Sequence, residues 1–86
     1  MFYRVKEIEP LPDMILQIIF ENGTIKRYDM KPLMDEREDF QDLKNNNLFK
    51  YARVAAKGLG IEWNGYIDLS CNELWYGGTA IEPNNC

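Results

Sequence analysis

Residues 14–24 read Met-Ile-Leu-Gln-Ile-Ile-Phe-Glu-Asn-Gly-Thr, and this stretch decides the fold because it carries a strand into a tight turn. The run from Met14 to Phe20 has the length of a β-strand and is apolar on both of its alternating faces. The pair Asn22-Gly23 accepts the positive φ angles of a hairpin turn. Residues Thr24 to Met30 then return as the second strand, so the sequence predicts a β-hairpin.

The length of the hairpin loop decides which side chains of the returning strand face the core. A two-residue loop places Ile25 and Arg27 on the core side, whereas a bulged three-residue loop places Tyr28 there in place of Arg27. The sequence leaves both registers open. In either register the core side of the first strand carries Leu16, Ile18 and Phe20.

Working outward towards the N-terminus, residues 3–8 alternate weakly between apolar and polar, with Tyr3, Val5 and Glu7 on one face. This strand ends at the turn cluster of residues 10–13, and we expect it at the edge of a sheet. Towards the C-terminus, Asp35 and Glu38 form a capping-box pattern for a helix of about ten residues. We expect that helix to bury Phe40 and Leu43, which lie three positions apart.

A second group of short strands follows the helix. The segments 51–56, 61–63 and 66–69 are strand-like and are separated by glycine-containing turns, which predicts a three-stranded meander. Ser70 and Glu73 then form a full capping box, with Leu69 and Leu74 placed as a hydrophobic staple. A short helical turn should therefore run to residues 77–78, the pair Gly77-Gly78.

These elements predict one α+β domain over residues 1–86. Two antiparallel β units, Tyr3 to Met30 and Tyr51 to Leu69, enclose one short helix between them, and a short C-terminal helical turn follows. A chain of this length has material for one core. The predicted core residues are Val5, Leu16, Ile18, Phe20, Ile25, Phe40, Leu43, Phe49, Val54, Ile61, Trp63, Ile67, Leu69 and Leu74.

The charge balance excludes several classes of protein. The chain has 10 Lys and Arg against 14 Asp and Glu and no histidine, giving a formal net charge of -4. Nucleic-acid binders draw non-specific affinity from basic residues, so we expect no direct nucleic-acid binding. No apolar run is long enough for a membrane span and no signal peptide is visible, so we expect a cytoplasmic protein.

Residues able to carry chemistry are few. Without histidine and with only Cys71 and Cys86 as thiols, the usual nitrogen and sulfur ligands of zinc or iron cannot be assembled, and we expect no metal, no cofactor and no structural disulfide. Cys71 has no histidine to activate it as a nucleophile. Asp29 and Asp68 are the carboxylates best placed for acid–base work, but each can instead accept backbone hydrogen bonds at an element end. We therefore expect a non-enzymatic protein.

A candidate interaction surface follows from surplus apolar residues. Both faces of the strand around Ile15 and Ile19 are apolar, so one face must be covered by another layer or by another chain. The aromatic cluster near the C-terminus is either core or an exposed patch, because exposed Trp and Tyr are enriched at binding hot spots. The candidate surface comprises Ile15, Ile19, Tyr66, Trp75 and Tyr76. Its expected partner is another small protein or a second copy of the chain, as a homodimer.

The order of these motifs resembles a bacterial family catalogued as domain of unknown function 2442. The matching features are Leu16-x-Ile18-x-Phe20-x-Asn22-Gly23, Tyr28-Asp29-Met30, Phe40-x-x-Leu43, Phe49, Gly60-Ile61-x-Trp63-x-x-x-Ile67-Asp68-Leu69 and Leu74-Trp75. The resemblance implies a small α+β fold related to the N-terminal domain of certain helix-turn-helix proteins. It also implies a partner in a toxin–antitoxin-like pair, or alternatively an accessory regulatory or ligand-sensing domain. Arg27 and Cys86 depart from the family pattern.

Overall fold

The computed structural model describes residues 3–45, 47–64 and 67–81. Within these ranges, the strands are β1 (Val5–Leu11), β2 (Ile15–Phe20), β3 (Ile25–Asp29), β4 (Arg53–Val54), β5 (Gly60–Glu62), β6 (Asp68–Ser70) and β7 (Thr79–Ala80). The helices are α1 (Lys31–Glu36), α2 (Asp42–Asn45) and α3 (Cys71–Gly77). The strands form two antiparallel sheets, in the orders β1-β2-β3-β7 and β4-β5-β6. The predicted α+β class is confirmed, and β1 lies at a sheet edge as expected.

The hairpin between β2 and β3 adopts the three-residue loop. The Phe20 N–H donates to the Thr24 carbonyl at 2.9 Å, and the Gly23 N–H donates to the Phe20 carbonyl at 2.9 Å. Gly23 has φ +91°, a value that glycine reaches without strain. Tyr28 is consequently opposite Leu16 and buried. The prediction that Ile25 belongs to the core is wrong, because this register turns Ile25 to the opposite face of the sheet.

Strand β7 was not predicted. It pairs with β3 through the register Lys26 opposite Ala80 and Arg27 opposite Thr79. The Ile81 N–H extends this pairing by donating to the Ile25 carbonyl at 2.8 Å. The chain therefore returns to the first sheet after α3. The two predicted β units are joined by this return as well as by the helical segment between them in the sequence.

The second sheet is the predicted meander with shorter strands. Residues at both ends of the predicted 51–56 strand instead lie in 3₁₀ turns, over Phe49–Tyr51 and Ala56–Gly58. Lys57 and Gly58 have φ values of 61° and 71°, which end the extended conformation at this point. Val54, predicted in the core, is half-buried and packs against it.

The middle helix is where the prediction is wrong. In place of one helix beginning at Asp35, α1 begins at Lys31 with Pro32 in its first turn, a favoured position for proline. The helical conformation breaks at Arg37 (φ -128°, ψ 118°), and a 3₁₀ turn over Glu38–Gln41 leads into α2. Asp35 and Glu38 therefore form no capping box.

The break at Arg37 has a packing reason. In a continuous helix Met34 and Phe40 would lie about 120° apart around the axis and could not both face one core. The change of direction allows Met34, Phe40 and Leu43 to be buried together. The predicted burial of Phe40 and Leu43 is thus confirmed.

Helix α3 follows its local signals. The Ser70 Oγ accepts a hydrogen bond from the Glu73 N–H at 3.1 Å, and Leu69 and Leu74 are both buried. The helix ends at Gly77, as predicted. The Glu73 carboxylate accepts a hydrogen bond from the Tyr28 hydroxyl at 3.1 Å, which joins α3 to the first sheet.

Both sheets and all three helical segments contribute to one buried cluster. Twelve of the fourteen predicted core residues belong to it, the exceptions being Ile25 and Val54. Among the described residues, its unpredicted members are Tyr28, Met30, Met34 and Cys71.

Candidate functional site

The first sheet has one face towards the core and one face away from it. Alternate residues of β2, namely Leu16, Ile18 and Phe20, are completely buried, whereas the residues between them are partly exposed. We call the opposite side the outer face. By the strand register it carries Glu7, Glu9 and Leu11 of β1, Ile15, Gln17 and Ile19 of β2, Ile25, Arg27 and Asp29 of β3, and Thr79 of β7, with Ile81 following.

On the outer face, apolar side chains lie opposite each other at two positions along β2, which we call the two apolar levels. Ile19 lies opposite Ile25, and Leu11 lies opposite Ile15. All four side chains are partly accessible to solvent. Helix α3 packs on the core side of β3, whereas Pro32 and Leu33 of α1 border the outer face beside Ile15. Apolar side chains at both levels are the usual composition of a contact surface.

A polar row separates the two apolar levels. Glu9, Gln17 and Arg27 lie directly opposite one another on β1, β2 and β3. The Arg27 Nε donates to the Gln17 Oε1 at 3.1 Å, and Glu9 is exposed at the other end of the row. The outer face is therefore acidic along its β1 side and basic at the middle of its β3 side.

Two open depressions border this face. One, of about 390 Å³, lies along β1 and β2 and is lined by Glu7, Glu9, Gln17 and Ile19 together with Ile8. The other, of about 480 Å³, lies beyond Ile15 and Arg27 towards Leu33 and Ile81. The first depression is lined by polar and apolar groups in nearly equal measure, and the second is mainly apolar.

Trp75, a predicted surface residue, lies on the core side of the sheet. Its ring stacks on Tyr3 with centroids 3.8 Å apart and planes 6° apart, and meets Phe20 edge-on at 4.9 Å. The Lys26 Nζ is 4.0 Å from the ring centroid, which places it over the face that Tyr3 leaves free. Both faces of the indole are thus occupied within the chain.

The remaining predicted surface residues do not join Ile15 and Ile19. Tyr76 is 74% exposed on α3, a helix packed against the other side of the sheet. Tyr66 lies outside the described residues. The structure therefore brings together only the isoleucine part of the candidate surface. It adds Glu9 and Arg27, which no sequence signal could select before the hairpin register was known.

The two candidate carboxylates lie in different sheets. Asp29 Oδ1 accepts a hydrogen bond from the Lys31 N–H at 2.9 Å and pairs with the Lys31 ammonium at 3.0 Å. The backbone bond, followed by the side-chain bond, lowers the pKa of Asp29. A carboxyl group that serves as a general acid or base usually has a raised pKa, whereas the pKa of Asp29 is lowered. The surroundings of Asp29 are therefore those of a carboxylate that stabilises a turn. Asp68 is exposed on β6, and the bond that caps α3 comes from Ser70.

Other chemistry-bearing groups are dispersed. Among the described residues, no group of three or more Cys, Asp or Glu side chains is close enough to hold a metal ion. Cys71 is a free thiol in the core, and Cys86 lies outside the described residues. No helix in the described ranges is long and apolar enough to cross a membrane.

Comparison with known proteins identifies a family without an assigned activity. The model of the family described as "Protein of unknown function (DUF2442)" matches residues 5–80. No curated protein and no solved structure matches the chain. The buried β2 residues and the residues of the outer face other than Ile81 lie inside the matched range.

Proposed function

The chain belongs to DUF2442, a family of unknown function, and we propose that it is a non-enzymatic protein–protein interaction module that binds its partner through the outer face. The observation that carries this proposal is the pairing of Ile19 with Ile25 and of Ile15 with Leu11 on the side of the sheet away from the core. The partner is another small protein, of the toxin–antitoxin type or otherwise, or a second copy of the chain.

The physical argument rests on the cost of leaving apolar side chains in water. Full burial of one isoleucine is worth about 1.5 to 3 kcal/mol relative to exposure. Ile15, Ile19 and Ile25 are half-buried in the isolated chain, so covering them releases part of that free energy for binding. An antiparallel sheet with one solvated face normally alternates apolar and polar residues. Strand β2 departs from that pattern.

The charges of the outer face argue against nucleic acid as the partner. Glu7, Glu9 and Asp29 outnumber Arg27 on this face. Phosphate groups would be repelled by the carboxylates, and a single guanidinium supplies little counterion release. A protein surface with its own apolar centre and mixed charges fits this face better.

Co-purification from the native cell tests the proposal, using a tagged parent and two variants. Ile19→Lys places a charge on the outer face. Leu59→Lys is the matched control, because Leu59 is 42% exposed on the loop before β5, in the second sheet. We expect proteins retained by the parent, including untagged copies of the chain, to be lost with Ile19→Lys and kept with Leu59→Lys. Retention by both variants at the parent level would contradict the proposal. Circular dichroism checks that both variants are folded.

A further inference from the structure

We propose that the outer face binds a second copy of the same chain, in a two-fold symmetric pair in which Glu9 of each copy meets Arg27 of the other. The inference rests on the proposed function, because it names the occupant of the same surface. It follows from how the charges are distributed across β1, β2 and β3.

The first step is the separation of opposite charges within one chain. Glu9 and Arg27 flank Gln17 in a single register row. Neighbouring strands are about 4.8 Å apart, so the backbones that carry these two charges are about 10 Å apart. Both residues are exposed, and the Arg27 Nε is held by Gln17. The terminal guanidinium nitrogens of Arg27 can therefore bind a carboxylate from another chain.

The second step is the choice of symmetry axis. A two-fold axis parallel to the strands and lying over β2 exchanges the β1 and β3 sides while keeping each residue at its level along the strand. It therefore sets Glu9 against Arg27 twice. An axis perpendicular to the strands would instead set Glu9 against Glu9 and Arg27 against Arg27, which is repulsive. Of these two axes, the parallel one makes the charges of this patch self-complementary.

The third step concerns the apolar residues. Ile15 and Ile19 lie on β2, hence near the proposed axis, where each meets its own copy. By the same operation Glu7 faces Ile25 of the other copy and Asp29 faces Leu11, both at corners of the patch, and Asp29 is already paired with Lys31. Along the axis, Ile15 and Ile19 therefore lie on either side of Gln17, and the Glu9–Arg27 contacts lie over the flanking strands at the level of Gln17. Face-to-face sheets with nearly aligned strands are a common packing.

The size of the patch sets the expected affinity. With the axis over β2, the strands that face their counterparts are β1, β2 and β3, which present about 300 Å² per copy, a size found among weak and transient interfaces. We therefore expect a dimer with a dissociation constant in the micromolar range, weakened by salt. The fraction of protein in the dimer should rise as the protein concentration increases from about 5 to about 500 μM.

Sedimentation velocity of Glu9→Arg, Arg27→Glu, their equimolar mixture and the double variant tests the inference. Each single variant creates two like-charge contacts, and we expect its dimer to weaken at least about tenfold. In the mixture, both contacts of the mixed dimer pair an arginine with a glutamate, so association should return. The double variant should also dimerise. Arg53→Glu makes the same charge change in the exposed Arg53–Glu62 pair of the second sheet and should leave the dimer intact.

The outcomes separate this inference from the proposed function. A parent that stays monomeric at about 500 μM in low salt, or a mixture that associates no better than its components, overturns the second copy as the occupant. If Ile19→Lys still abolishes co-purification of another protein, the interaction module stands with a different partner. If Ile19→Lys changes neither association nor co-purification, both proposals fail.

Discussion

Tyr28 joins the first sheet to α3 through both its ring and its hydroxyl. The ring is buried opposite Leu16 and lies so near Gly77 that a β-carbon there would be 2.7 Å from Tyr28 Cε2. The hydroxyl donates to the Glu73 carboxylate. Burial first, and then the negative charge of Glu73, raises the pKa of Tyr28 to about 12. One side chain thus couples the hairpin register to the position of the last helix.

The raised pKa of Tyr28 predicts a loss of stability in alkaline solution. An unfolded tyrosine ionises near its ordinary pKa of 10.0, whereas folded Tyr28 stays neutral until about 12. Its contribution is therefore complete below pH 10 and is lost as the pH rises to about 12. We expect Tyr28→Phe to flatten this part of the stability curve, measured by urea unfolding at each pH. At neutral pH the variant should lose about 1 kcal/mol with the Glu73 hydrogen bond.

The control for this titration is Tyr51→Phe, because Tyr51 is 61% exposed. Ultraviolet titration of the folded parent should show a late-ionising component from Tyr28, which Tyr28→Phe removes and Tyr51→Phe retains. A parent and a Tyr28→Phe variant that lose stability in parallel between pH 10 and 12 would disprove the assignment to Tyr28.

At the scale of elements, the signals that predicted correctly are local. Helix α3 is specified by Ser70, Glu73 and Gly77, all within the helix or next to it. The position of the hairpin could be predicted from Asn22-Gly23. Its register could not, because either Arg27 or Tyr28 could face the core, and the choice depends on packing against α3. The same limit applies to the site: Ile15 and Ile19 could be proposed from one strand, whereas the Glu9–Arg27 row needs the pairing of three strands.

The elements that were mispredicted depend on distant contacts. In the middle segment, a helix start at Lys31 competes with a start at Asp35, and the need to bury Met34 together with Phe40 favours Lys31. Strand β7 has only two residues, too few for a periodic pattern, and exists because β3 offers it an edge. Pro32 is a local signal for the start of α1, but in neither case does the immediate sequence alone decide the outcome.

Phe40 is expected to stabilise the whole helical segment that connects β3 to β4 in the chain. It is fully buried, meets Trp63 edge-on with centroids 6.3 Å apart, and has the Arg37 guanidinium over its ring at 4.6 Å. Phe40→Ala should lower the free energy of unfolding by about 3 to 5 kcal/mol, since it removes a large side chain from a closed core. Urea unfolding followed by circular dichroism measures the change.

Two further variants make this result interpretable if Phe40→Ala does not fold. Phe40→Leu keeps much of the volume and should cost about 1.5 kcal/mol or less. Asp39→Ala removes an exposed neighbour and should cost about 0.5 kcal/mol or less. A loss below about 1 kcal/mol for Phe40→Ala would show that the segment contributes little to the core.

At the scale of the whole molecule, the two sheets share their interior. Helix α3 contacts β3 of the first sheet and β5 and β6 of the second, and β1 contacts β4 and β5. Removing either sheet would expose the inner face of the other, because the buried cluster draws on both. Either sheet alone would leave its apolar inner face in water, which is unfavourable. The molecule should therefore unfold as one unit.

The two tryptophans allow this cooperativity to be measured at both sheets. Trp63 follows β5 and donates its indole N–H to the Phe49 carbonyl at 3.1 Å, whereas Trp75 stacks on Tyr3 beside the first sheet. Trp75→Phe leaves a reporter near the second sheet, and Trp63→Phe leaves one near the first. The two variants will differ in stability, so the fluorescence midpoint is compared with the circular dichroism midpoint of the same variant. We expect fluorescence and circular dichroism to give the same urea midpoint in both. A fluorescence midpoint separated from the dichroism midpoint in either variant would show that one sheet survives the other.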